Sequence, residues 1–142
     1  MKDEAFEQKN IFGTGQENNA FAQFFIGKSY LNPLTSPEEC GLLFANVTFE
    51  PGCRNNWHIH HAKKGGGQIL LCIAGEGWYQ EWGKDARSLA PGDVVVIPAG
   101  VKHWHGAKKD SWFSHIAAEV PGEDRSNEWL EAVTDETYMR LR

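Results

Sequence analysis

Cysteine is scarce in this 142-residue chain: Cys40, Cys53 and Cys72 are all there is. They form no CxxC pair, and an odd number in so short a chain argues against a disulfide framework. Reduced thiols, and with them a cytoplasmic setting, are the simplest reading. Long apolar runs are missing: none approaches the roughly 20 residues of a membrane helix. The opening stretch Met1-Lys2-Asp3-Glu4-Ala5 lacks the apolar centre of a signal peptide. There is no excess of basic charge either. The formal net charge is -5, whereas a nucleic-acid partner normally demands a basic stripe. Internal repeats and low-complexity linkers are not seen. What remains, 41% hydrophobic and 23% charged residues, is the composition of one soluble domain with a real core.

What the chain does have is a series of short apolar segments divided by turn residues. Residues 1–20 are polar and broken by Gly13 and Gly15, and are expected to form a mobile arm ahead of a domain covering 21–142. Strands are expected over 21–31, 42–49, 68–74, 78–82, 94–97 and 112–120, with turns at Pro51-Gly52, Gly75-Glu76-Gly77, Pro91-Gly92 and Pro98-Ala99-Gly100. Strands dominate, so the expected class is all-β, a sandwich or barrel. The period changes near the end. Residues 127–133 read as helical with Ser126 as cap, and a second helix follows Thr134, with Val133 and Tyr138 spaced as a hydrophobic staple.

Histidine carries the chemistry. On a strand, residues two apart share a face, so His58 and His60 project together and form half a metal site. Gln68 opens the next apolar run. A second cluster, His103-Trp104-His105, follows Pro98-Ala99-Gly100. His105 shares the face of His103, and His115 lies on a further strand with Glu119 on the same side. Lys63 and Lys64 read as a solvated loop, and Cys72 as packing.

These spacings resemble the cupin superfamily. Gly52, His58, His60, Gln68 and Gly75 follow the first motif, and Gly92, Pro98, Gly100 and His103 the second. Gln68 stands where the motif has Glu, the gap before it is longer, and Ala107 replaces a final Asn. Trp57-His58, Gly77-Trp78 and His103-Trp104-His105-Gly106 resemble small bacterial cupins that include manganese-dependent hydroxynitrile lyases and proteins associated with carboxymuconolactone-decarboxylase-like domains.

The resemblance implies a jelly-roll β-barrel with a short helical C-terminal tail. It implies one divalent transition metal (Mn, Fe, Ni or Zn) held by His58, His60, Gln68 and His103. His105 and His115 are the acid/base candidates, because histidine moves protons near neutral pH. The expected function is a metal-dependent lyase acting on a small organic molecule. An Fe(II) dioxygenase and a non-catalytic binding module are the alternatives that open coordination positions also permit. A homodimer is expected, with residues 21–31 at its interface and the outward Trp57 and Trp104 under the partner.

Overall fold

The computed structural model describes residues 3–142; Met1 and Lys2, at the start of the expected arm, lie outside the described residues. The strands are β1 (Gln16–Glu17), β2 (Phe25–Ile26), β3 (Ser29–Pro33), β4 (Phe44–Phe49), β5 (Arg54–Asn55), β6 (His58–His61), β7 (Lys64–Gly65) and β8 (Gln68–Gly75). They continue as β9 (Gly77–Glu81), β10 (Arg87–Leu89), β11 (Val94–Ile97), β12 (His103–Ala107), β13 (Phe113–Glu119), β14 (Gly122–Glu123) and β15 (Ser126–Trp129). Three short helices complete the fold: α1 (Glu4–Lys9), α2 (Pro37–Cys40) and α3 (Asp135–Met139).

One sheet runs β1-β3-β4-β13-β8-β11, a second β10-β9-β12-β5-β2, with β6 joined to β12 and β15 joined to β6, and β7 pairs with β14 in a separate two-stranded ribbon. The inner faces interleave. Val47, Phe49, Leu70, Phe113 and Ile97 from the first sheet meet Tyr79, Leu89 and Ala107 from the second in one buried core. A bulge between β8 and β13, at Ser114/His115, changes the face that β8 presents. Cys72 is in the inner core, yet Ala74, two residues on, packs outside against Phe6 and Trp112. An extra residue in a ladder has this effect. Gly106 permits a close approach of β12 to β5, since a Cβ there would meet the Arg54 main chain at 2.5 Å.

Three expectations change. From residue 3 on, the N-terminal segment packs onto the domain: Asp3 caps α1 and Phe6 is buried on the outer face of the first sheet, 5.6 Å from the Trp112 ring. Asn10 is buried too, donating to Thr48 Oγ1 at 3.0 Å and accepting from Asn46 Nδ2 at 2.9 Å. Residues 21–31 are split by Gly27, whose φ is +87°, into a 3-10 turn, β2 and the start of β3. Residues 126–129 form β15 rather than a helix, pairing antiparallel with β6.

The tail beyond β15 closes the outside of the second sheet. Val133 and Tyr138 bury against Trp57, Trp78 and Trp104, so the chain itself covers the tryptophans expected to lie under a partner. Thr134 caps α3 by accepting from the Thr137 N–H. Arg54, with a side chain 4% exposed, holds the tail. Its Nε and NH2 donate to the Val133 carbonyl at 3.2 and 2.6 Å, and its guanidinium lies 4.2 Å above the Tyr138 ring.

Candidate metal centre and its histidine pair

Strand alternation builds the site. Along β6, His58 and His60 are buried while His61 is exposed. β12 pairs with β6 so that His103 is directly opposite His58, and the two rings are 4.2 Å apart between centroids. His60 lies 5.2 Å from His103. Gln68, 7% exposed, enters from the start of β8. An inner cavity of about 130 Å³ brings His58, His60 and Gln68 together with Asn55, His105 and His115. It shares Phe21, Leu31, Val47 and Ala117 with a larger cavity of about 620 Å³.

Hydrogen bonds assign the ring nitrogens. Nδ1 of His58 faces the Asn56 carbonyl at 2.8 Å, Nδ1 of His103 the Val101 carbonyl at 2.9 Å, and Nδ1 of His60 the Asn127 Oδ1 at 2.8 Å. Each of these oxygens accepts, so each Nδ1 carries the hydrogen and each Nε2 keeps a free lone pair. Nε2 of His60 and of His103 are buried without a hydrogen-bond partner among the described residues, as is Oε1 of Gln68. Buried acceptors left unpaired are costly, and a bound cation would satisfy them. Anchored imidazoles with inward Nε2 atoms are the arrangement of metal-ligating histidines. The residues present therefore fit a divalent ion. One nitrogen each from His58, His103 and His105 also lie within 4.8 Å of one another, an overlapping triad that leaves out His60.

His105 and His115 form a second group. His115 Nε2 and His105 Nδ1 are 3.0 Å apart, so one hydrogen is shared between two rings. Burial pushes the His115 pKa down to about 3. Burial, then the nearby His115, hold His105 well below its ordinary value. Burial similarly lowers His58 well below its ordinary value and His103 to about 4. These rings are neutral at pH 7, as ligands and proton acceptors must be. Asn55 accepts the His105 backbone N–H at 2.9 Å, and its Nδ2 lies 3.3 and 3.4 Å from the two ring nitrogens. Phe49 packs against both rings at 6.0 and 5.4 Å.

All six histidine and glutamine positions singled out in the sequence thus converge on one region. Asn127 and Asn55 were missed. Asn127 sits in the segment read as helix, and Asn55 meets His105 only through pairing of β5 with β12. Glu119, recognisable from its strand face, accepts from Gln68 Nε2 at 3.1 Å.

The Cupin domain profile matches residues 45–114, which span both histidine segments up to His105. The chain is 40% identical over 120 residues to an (R)-mandelonitrile lyase of Granulicella tundricola, covering 84% of this chain and 88% of the relative. A cupin-like protein from Thermotoga maritima shares 39% identity at a TM-score of 0.78, with 92% of this chain and 96% of that one covered. A cupin 2 conserved barrel domain protein from Rhodopseudomonas palustris shares the fold at 15% identity, with a TM-score of 0.65 over 86% of this chain and 78% of that one. Forty per cent identity across most of both chains, on a fold of two packed sheets that encloses the histidines of both motifs, makes this chain a member of the cupin family.

Proposed function

We propose that this protein is a metal-dependent lyase that splits a small cyanohydrin-type molecule into a carbonyl compound and hydrogen cyanide. The observation that carries the reading is the division of five buried histidines into two sets. His58, His60 and His103 have anchored Nδ1 atoms, and His105 and His115 share a hydrogen bond 3.0 Å long. Nε2 of the first three with Oε1 of Gln68 would hold one divalent ion, with manganese first among Mn, Fe, Ni and Zn on the family resemblance, and the ion would act as a Lewis acid toward the substrate oxygen.

The chain's own part is proton transfer and orientation. With the shared hydrogen on His105 Nδ1, its Nε2 lone pair accepts the substrate hydroxyl proton as that hydroxyl displaces the Asn55 amide 3.3 Å away. The carbon–carbon electron pair leaves with cyanide, the hydroxyl oxygen becomes the carbonyl oxygen, and His105 returns the proton to cyanide. His115 Nε2 takes up the Nδ1 hydrogen as charge builds on His105 and gives it back as His105 protonates cyanide, so both rings end as they began. Neutral rings favour this role, because a protonated His105 could not accept. The relative from Granulicella tundricola is named for mandelonitrile, an aromatic cyanohydrin. Phe21, Leu31, Val47 and Trp129 around the inner cavity offer apolar contact to such a substituent.

The test is release of benzaldehyde from mandelonitrile under anaerobic conditions, with metal quantified in the same samples. Turnover that follows metal content, and falls about 10²–10⁴-fold in His105→Ala with metal retained, is expected. Metal-replete protein without turnover would overturn the lyase reading. Substrate-dependent oxygen uptake would replace it by the dioxygenase.

A further inference from the structure

We infer that Glu119 is the positioning residue of this centre: it fixes the direction of the Gln68 amide and supplies, one hydrogen bond out, the negative charge that the ligand set lacks. The inference rests on the metal-centre reading above and adds a residue to it.

Gln68 is the ligand candidate least determined by its own chemistry. An amide has an acceptor end and a donor end of nearly equal size, and either can face a cavity. With the donor end inward, two hydrogens would point where a cation should sit. Each imidazole is held by an acceptor on Nδ1; Gln68 needs an equivalent hold. The strand register provides it, because Gln68 on β8 is directly opposite Glu119 on β13, and opposed residues on one face of a ladder are within side-chain reach. Gln68 Nε2 donates to Glu119 Oε1 at 3.1 Å. An ionised carboxylate only accepts, so the amide nitrogen alone can make this bond. Oε1 is thereby turned the other way. It is buried without a partner, on a side chain that borders the same inner cavity as His58 and His60.

The charge balance points to the same residue. Three neutral imidazoles and one amide carry no charge, so a divalent ion would keep its full double charge in a largely buried site. Glu119 offsets half of it without occupying a coordination position. Its bond to the amide also pushes electron density toward Oε1, as a carboxylate behind a ligating imidazole raises that ring's donor strength.

Two variants test this on chelator-stripped, full-length protein titrated calorimetrically with Mn(II). Glu119→Gln is nearly isosteric, but its amide can donate or accept and no longer fixes Gln68. Combining it with Gln68→Glu returns one carboxylate and one amide to the same cross-strand pair with donor and acceptor exchanged. Glu119→Gln is expected to bind Mn(II) about 10–100-fold more weakly than the parent, and the double variant to recover most of that loss. Gln68→Glu alone is the reference, because a carboxylate at 68 strengthens binding by its own charge; a positioning role requires its gain to be larger in the Glu119→Gln background than in the parent. Thermal melts of the metal-free proteins report whether each variant folds. Glu119→Ala, which removes the acceptor without adding an amide, covers a failure of Glu119→Gln to fold. Parental affinity in a folded Glu119→Gln or Glu119→Ala variant overturns the inference, and so does a folded double variant that recovers nothing. A parent that takes up no divalent metal overturns the centre itself, whereas a parent that binds Mn(II) as tightly as its Glu119 variants overturns only the role of Glu119.

Discussion

Replacing Asn127 by alanine removes the side-chain acceptor of His60 Nδ1 while leaving the main-chain pairing of β15 with β6 in place. His58 and His103 turn Nδ1 to main-chain carbonyls, which no substitution deletes. His60 turns Nδ1 to Asn127 Oδ1 at 2.8 Å, across 67 positions of sequence. The loss of such a partner behind a ligating imidazole costs about 10–100-fold in metal affinity. Asn127 is an exposed residue, so water can take over part of the bond, and the lower end of the range applies. The expected loss is about tenfold, or about 1.4 kcal/mol. Asn127→Asp keeps an acceptor and makes the bond charge-assisted, which is roughly twice as strong, so its affinity should equal or exceed the parent's. Competition between metal-free protein and a chelator of known affinity measures both. The overlapping triad of His58, His103 and His105, with nitrogens within 4.8 Å, gives the contrary result. A cation held there alone would ignore Asn127, and unchanged affinity in Asn127→Ala would refute the assignment of His60.

Arg54→Met keeps most of the buried stem but removes the donors to the Val133 carbonyl; urea unfolding should show a loss of about 2–3 kcal/mol, and a loss below about 0.5 kcal/mol would mean the tail is held without Arg54. Metal-free protein should lose stability as pH falls below about 6.5. Buried His105 and His115 have folded pKa values lowered by burial, so the unfolded chain binds protons that the native state refuses. The slope is about 1.4 kcal/mol per pH unit for each such ring over the window between the unfolded value of about 6.5 and the folded one, and melting temperatures that stay flat from pH 7 to 5 would contradict the burial argument. For the expected homodimer a second surface stands beside residues 21–31, where Phe21 is itself 43% exposed. Within 21–31, Phe24 stacks on Trp129 and Phe25 packs against Phe49, whereas Val94 and Val96 on the edge strand β11 are 51% and 66% exposed. We therefore expect a second copy to cover β11, and Val94→Lys with Val96→Lys to give monomers by light scattering. A concentration-independent monomer in the parent, or a dimer that survives both substitutions, would reject that surface.

Local geometry made much of this protein legible in its sequence. Two-residue alternation alone puts His58 beside His60 and His103 beside His105, and turn residues mark where β9, β11 and β12 begin. Thr134 and the staple of Val133 with Tyr138 announce α3. What the sequence could not decide is pairing between distant strands. Residues 126–129 carry helix-compatible side chains, yet the free edge of β6 takes them as a strand, because a tertiary ladder outweighs weak local propensity. That one choice delivers Asn127 to His60. The opposition of Gln68 to Glu119 and the meeting of Asn55 with His105 likewise depend on register between strands, which spacing along the chain does not encode. Trp57 and Trp104 were legible as outward-facing, but only the folded tail decided that this chain covers them itself. Alternation names the side chains that face inward; register, a property of two strands together, chooses the partner behind each one.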